Sequence, residues 1–243
     1  MNIIKLDAIG STNTYLKEIL THSNLENFTV VVTENQFQGK GQRGSVWKGE
    51  VGSSLTFSVL VKELLETPEH VFDLNILVAL SVYSSLKKLY NLPFSIKWPN
   101  DILSYNKKIG GILIENIIKA SGETLSIVGI GINANQENFD HLPQATSLFK
   151  LCGDKVNKDE LMHSILESLT VYCQKYLASG STFIWEEYHR SLYRINVPSV
   201  FELPSGIRFM GIILGVTKNG LLSVKKEDDS VALFDIKQVK LLY

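Results

Sequence analysis

The chain has 243 residues, 44% of them hydrophobic, and 24 lysines and arginines against 25 aspartates and glutamates. That length suits one large domain, or one plus a small one, with ample core, and a net charge of -1 excludes a chain-wide basic surface for nucleic acid. Cys152 and Cys173 stand in neither metal-ligand nor redox spacing and read as buried or idle thiols of a reducing compartment. The first seven residues lack a signal-peptide design, and the longest apolar run, 76–82, is too short to span a membrane. A cytoplasmic protein is expected, with neither membrane nor DNA among its partners.

Residues 3–9 alternate and predict a strand that Gly10 ends. Ser11 or Thr12 then caps a helix to about Leu20, a hydroxyl satisfying N–H groups that lack partners in the first turn. Ser11-Thr12-Asn13 is a cap and nothing more, or Asn13 offers a donor and an acceptor to a polar ring or amide. Residues 28–33 predict the next strand. It runs into a stretch ending at Trp47 in which Gly39, Gly41 and Gly44 surround Lys40 and Arg43. Glycines let a backbone approach a ligand, successive free N–H groups make an anion nest, and the two cations suit phosphate. A solvated surface loop is the alternative. The letters fit G-x-G-x-x-G, but no helix opens at the third glycine, as a dinucleotide fold requires. The kinase signatures that would accompany such a loop are absent too. Three glycines leave few side-chain anchors, so the loop is expected to be mobile without ligand.

Residues 54–61 predict a strand, and Pro68 opens a helical segment. From Leu74 to Tyr90 its apolar residues keep the helical period. In Ile96-Lys97-Trp98-Pro99-Asn100-Asp101, Pro99 forces Trp98 to be extended, and alternation turns Lys97 away from both Ile96 and Trp98. Lys97 is an exposed strand lysine or a cation held over a pocket. Residues 102–105 and 108–117 predict a hairpin turning at Asn106-Lys107, with Gly110-Gly111 marking a close approach. The strand 124–132 ends in Gly129-Ile-Gly131-Ile-Asn133, its glycines on one face. That face is a crowded sheet position or a slot for a flat ligand. Residues 136–156 read as irregular. Asn157 and Glu160 resemble a capping box opening a helix to about Leu177, and 182–193 predict a second helix. His163 and His189 lie on these helices without partners at ligand spacing. After Asn196 four short strands follow, 197–203, 208–216, 221–225 and 231–236, with a strong hairpin turn at Asn219-Gly220. They read as a small β-barrel that docks on the main domain.

Four stretches, in order and spacing, resemble the biotin protein ligases: Ser11-Thr12-Asn13, the loop from Gln36 to Trp47, Lys97-Trp-Pro-Asn-Asp101 followed by Lys108-Ile-Gly-Gly111, and Gly129-Ile-Gly131-Ile-Asn133. The resemblance implies an α+β fold, a mixed sheet with helices on one face as in class II synthetases, over 1–194. An SH3-like barrel would occupy 195–243. It implies a two-step reaction in which biotin and Mg2+-ATP give biotinyl-5′-AMP and pyrophosphate, and a lysine of a biotin carboxyl carrier domain then takes the biotin. Lys97, Lys40, Arg43 and Asp101 would be catalytic. Ser11, Thr12, Asn13, Gln36, Lys40, Gly41, Gln42, Lys97, Gly129 and Gly131 would hold biotin. Arg43, Trp47, Asn100, Lys108 and Asn133 would face ATP. The resemblance leaves the metal ligands unassigned. Gln42 and Lys40 stand where many members have arginine, which keeps the charge at Lys40 but loses the bidentate fork. Some members carry an N-terminal DNA-binding domain; here the Ser11 motif begins ten residues into the chain, so a short form is expected, with a homodimer as a possible assembly. The competing readings are a lipoate or octanoate ligase or transferase of the same architecture and a non-catalytic biotin-sensing regulator.

Overall fold

The computed structural model describes residues 2–64, 70–119 and 123–243. Pro68, the predicted start of the long helix, lies outside them. Seven strands, β1 (Ile3–Ile9), β2 (Val30–Gln36), β3 (Leu55–Lys62), β4 (Phe94–Lys97), β5 (Asp101–Ser104), β6 (Lys107–Ile118) and β7 (Thr124–Ile132), form one mixed sheet in the order β1-β2-β3-β7-β6-β5-β4. Helix α1 (Thr12–His22) crosses between the parallel pair β1 and β2, and every other ladder of this sheet is antiparallel. The remaining helices are α2 (Val71–Leu89), α3 (Leu148–Cys152), α4 (Lys158–Ser179) and α5 (Thr182–Ser191).

Residues opposite each other on a ladder share a face of the sheet. The pairs Lys97–Asp101, Asp101–Gly111, Gly111–Gly131, Gly131–Thr56 and Gly129–Ser58 therefore align across five strands on one face. The other face carries Phe57, Val59, Val61, Val128, Ile130, Ile112 and Ile96, and buries them against α2, with α4 and α5 behind it. The expectation of helices on one face needs correction. Leu16 of α1 packs with Val31, Leu60, Leu125 and Ile127 on the opposite side, in a core of its own. Those four side chains make the far half of that face apolar, and only a helix there removes them from water.

The differences from the predicted boundaries have local causes. β2 starts at Val30 because Phe28 sits at φ 59, outside any strand conformation; it runs on to Gln36, so Gln36 belongs to a strand end. The hairpin turns one residue earlier than expected, with Tyr105 at φ 52 and Lys107 already in β6. Within the stretch read as irregular lies α3, capped by Ser147 and ended by Gly153 at φ 82.

The second sheet, β8 (Pro198–Glu202), β9 (Arg208–Val216), β10 (Leu222–Lys226), β11 (Val231–Phe234) and β12 (Lys240–Leu242), is antiparallel in the order β11-β10-β9-β8-β12. β12, unpredicted, has only three residues. Its edge and that of β11 do not pair with each other, so strand pairing leaves the sheet open. It is docked as its small size requires. Phe201, Leu222 and Val224 join the main core beside Ile184 and Tyr188. Trp98 Nε1 donates to the Gly220 carbonyl at 2.9 Å, and Val216 N–H donates to His189 Nε2 at 3.0 Å. His163 is exposed and bonds its own helix. Both cysteines are free, Cys173 buried. Among the described residues no helix is long and apolar enough to cross a membrane.

Gly220 has φ 81, and a Cβ there would come within 2.9 Å of Phe72 Cε2. Gly220→Ala should cost at least about 1–3 kcal/mol of stability, read as a fall in the urea midpoint with an unchanged slope.

Candidate active site

A cavity of about 340 Å³ opens on the glycine-bearing face, beneath the loop that follows β2 and beside the ends of β4 and β5. Of the residues singled out in the sequence, it is lined by Ser11, Thr12, Asn13 and Gln36 at one end and by Lys97, Asn100, Asp101 and Lys108 at the other. Lys40, Gly41, Gln42 and Trp47 close it from above, and Gly129 and Gly131 lie beneath. Arg43 and Asn133 do not line it. Asn133 is buried and donates its amide to the Thr146 carbonyl at 3.1 Å.

The polar end is built where α1 begins. Ser11 caps the helix through Thr14 N–H, as its hydroxyl suggests. Thr12 N–H donates to Gln36 Oε1 at 2.9 Å, and Thr12 Oγ1 lies 3.1 Å from the same oxygen. Asn13 Nδ2 donates to Glu115 Oε2 at 2.8 Å, and Ser58 Oγ lies 2.6 Å from Asn13 Oδ1 and 2.7 Å from Thr12 Oγ1. Asn13 therefore spends both ends of its amide on the protein. Its side chain occupies the space that a Cβ on Gly129 would take.

The cationic end follows from strand alternation. Ile96 and Trp98 point into the core, and Lys97 faces the cavity. Asp101 sits between two ammonium groups, 3.7 Å from Lys97 Nζ and 2.5 Å from Lys108 Nζ. Lys97 Nζ also lies 5.4 Å from the centre of the Tyr243 ring. Burial lowers the Lys97 pKa; Asp101 offsets part of that, and Lys108 adds to it. Burial, and then the charge of Asp101, push the Tyr243 phenol up to about 12, so it presents a neutral ring to the cation. Asn100 donates its amide to the Ile112 carbonyl, and Lys40 Nζ donates to Thr14 Oγ1 at 3.0 Å.

The loop is better anchored than its glycines suggest. It folds on itself through Gly41 N–H to Ser45 O at 2.7 Å and Trp47 N–H to Gly39 O at 3.0 Å. Arg43 takes a left-handed conformation, φ 50 and ψ 46, and turns away from the cavity. Its guanidinium donates to Asp235 Oδ2 at 2.8 Å and to the Ile236 carbonyl, while Lys237 donates back to the Arg43 carbonyl. The Trp47 indole lies across Gly131, whose Cβ would fall 2.6 Å from Trp47 Cε2. The slot expected to admit a flat ligand is thus filled from within the chain, by Trp47 over Gly131 and by Asn13 over Gly129. Trp47 Nε1 is buried without a partner among the described residues.

A half-buried lysine flanked by a second cation at one end, and a polar clasp at the other, suit a small acid with a hydrogen-bonding head. Residues 6–135 match the model of the biotin/lipoate A/B protein ligase family. The chain belongs to that family. It is 29% identical over 242 residues to the bifunctional ligase/repressor BirA of Bacillus spizizenii, covering 93% of this chain and 73% of that protein. It is 26% identical to the biotin–[acetyl-CoA-carboxylase] ligase of Mycobacterium tuberculosis, covering 88% of this chain and 79% of that one. The fold is similar to that of the biotin protein ligase from Aquifex aeolicus in complex with biotin and ATP, with a TM-score of 0.81, 24% identity and coverage of 99% and 98%.

Set against the family's motifs, the site includes residues that the sequence reading passed over. Ser58 and Glu115 brace Asn13, and Ile236 and Lys237, in the turn between β11 and β12, line the cavity. Ser58 had a visible sign, a polar residue alternating with Phe57 and Val59 in a buried strand, as had Glu115, a charge within an apolar run. The contributions of 236–237 and of Tyr243 come from distant chain and leave no local sign. Among the described residues no three His, Cys, Asp or Glu side chains gather as a metal site.

An ammonium is charged below its pKa and neutral above it. Lys97 should therefore lose its charge at a lower pH than an ordinary lysine, near 10.4. Asp101→Asn should move that loss lower still, and Lys108→Met should move it back up. NMR titration of the Lys97 side chain reads these shifts; titration together with the surface lysines would contradict the burial argument.

Proposed function

We propose that this chain is an ATP-dependent biotin protein ligase, and the observation that carries the reading is the meeting of Lys97 and Lys108 around Asp101 opposite the Thr12–Gln36 clasp. A carboxylate and a triphosphate repel each other, so a site that joins them must supply cations from both sides. Lys97 holds the biotin carboxylate; Thr12 and Gln36 take its ureido end. The carboxylate oxygen attacks the α-phosphorus of ATP, the bond to the β-phosphate oxygen breaks, and pyrophosphate leaves. The amine of a carrier lysine then attacks the acyl carbon of biotinyl-5′-AMP, loses a proton, and expels AMP. Lys97, already desolvated, stabilises the charge that develops at the acyl group in each step.

Lys108 and Trp47 take the nucleotide, a role supported by their meeting over the cavity, 5.8 Å from ammonium to ring. The unpartnered Trp47 Nε1 is a donor for it. Lys40, whose ammonium bonds Thr14 at the cavity's rim, is the loop's cation for phosphate, and Arg43 serves instead to hold the loop closed. Asp101, the carboxylate lining the cavity, would hold a Mg2+ ion brought with the phosphates, whose charge that ion would neutralise. The second sheet, as an SH3-like cap over 195–243, closes the catalytic part, 1–194, over Lys97.

Purified protein should release pyrophosphate from ATP only when biotin is present, and should label a carrier domain; equal release with lipoate, or none with either, would refute the assignment. Lys97→Ala should slow release by on the order of a hundredfold or more with an unchanged melt. Lys97→Arg should rescue only in part, because a planar fork does not replace a compact ammonium in a fitted site.

A further inference from the structure

A second cavity, of about 450 Å³, lies where the second sheet meets the main domain. The sheet stays open between β11 and β12, so its own strands do not close over its inner face. The walls are apolar: Ile213, Leu222 and Leu241 come from the strands, Leu203 and Val239 from the turns, and Leu192 from the main domain. Its charges are unbalanced. Lys97, Lys237 and Lys240 line it against one carboxylate, Glu202, which already accepts from Arg208 Nε at 2.8 Å. Lys97 and Lys237 line the first cavity as well, so the two spaces meet at those cations. Burial lowers the Lys97 pKa most, and among the neighbouring cations Lys108 and then Lys240 lower it further. Lys240 therefore stands within electrostatic reach of Lys97. An apolar cavity of this size with a few convergent charged groups has the usual form of a small-molecule site. A cationic ligand, the ammonium of a carrier lysine included, meets three like charges there. An uncharged hydrocarbon leaves those charges without an anion.

We infer that the second cavity binds a monocarboxylate with an unbranched apolar tail, the carboxylate among Lys97, Lys237 and Lys240 and the tail between the main domain and the second sheet. Burying the tail supplies most of the affinity, at about 0.8 kcal/mol for each CH₂, and the lysines select the sign of the head. Because Lys97 lines both cavities, such an acid draws on the cation that takes the biotin carboxylate and opposes biotin activation. Only this inhibition rests on the ligase reading above; the binding does not.

The probe is decanoate below its micelle-forming concentration, titrated calorimetrically into the unmodified protein, with decylamine and butyrate as controls. Decanoate should bind at one site, decylamine should not, and butyrate should bind at least about tenfold more weakly. Leu203 and Lys240 line the second cavity and not the first. Leu203→Trp fills it and should abolish binding. Lys240→Met, which removes an exposed charge, should weaken it about threefold. In biotin-dependent pyrophosphate release, decanoate should raise the KM for biotin without lowering kcat. Leu203→Trp should remove that effect and keep the uninhibited KM and kcat within about twofold. Absence of release with biotin would refute the ligase reading and leave the titrations to decide this inference. No saturable binding of decanoate, or decylamine bound as tightly, would overturn it. So would pyrophosphate release with decanoate in place of biotin, which puts the acid in the first cavity, or inhibition undiminished in Leu203→Trp. If Leu203→Trp does not fold, Lys240→Met decides, and an unchanged affinity there would count against the site.

Discussion

Two missing side chains on the central strand make room for everything else at this site. β7 runs through the middle of the main sheet, flanked by β3 and β6. On the face towards α1 it presents Leu125 and Ile127, then Gly129 and Gly131. The first pair buries against α1. The second leaves a trough that continues onto Gly111 of β6. A Cβ at Gly129 would displace Asn13, and one at Gly131 would meet the Trp47 indole. The trough thus lets the start of α1 and the end of the loop descend onto the sheet. The ligand space is what remains between them.

That geometry brings opposite chemistries to the two ends of one cavity. The clasp at Thr12 and Gln36 is neutral, with Thr12 donating to Gln36 Oε1, while the far end holds two ammonium groups about one carboxylate. Removing Lys97 from water costs charge stability, which its lowered pKa records. Asp101 offsets the cost without cancelling it, since Lys108 shares the same carboxylate. A lysine in that condition gains more from an incoming anion than a solvated one would.

The second sheet serves the site through two contacts of different kinds. Trp98, the residue after Lys97, is tied to the hairpin tip at Gly220. Asp235, Ile236 and Lys237 hold the loop by way of Arg43, and the Arg43 guanidinium holds the Asp235 carboxyl below the usual carboxylate range. Exposed ion pairs of this sort contribute little to stability. Their effect here is to select one loop conformation, with Arg43 in a left-handed turn that the ladder from Gly39 to Trp47 then encloses.

Much of the fold was legible because its causes are local. The strand 124–132 was predicted to the residue, and α1 and α4 begin at the caps that Ser11 and Asn157 mark. Alternation alone put Lys97 opposite Ile96 and Trp98. The residue types of the site were legible for the same reason, since glycines, a strand lysine and a polar helix start each depart from their surroundings. Pairing decided the rest. Which residues fill the glycine trough, where Arg43 points and what braces Asn13 all depend on partners far away in sequence, Gly131 for Trp47, Asp235 for Arg43, and Ser58 and Glu115 for Asn13. A sequence pattern states which groups seek a partner; only the folded chain, by placing distant strands at ladder spacing, determines which partner each one finds.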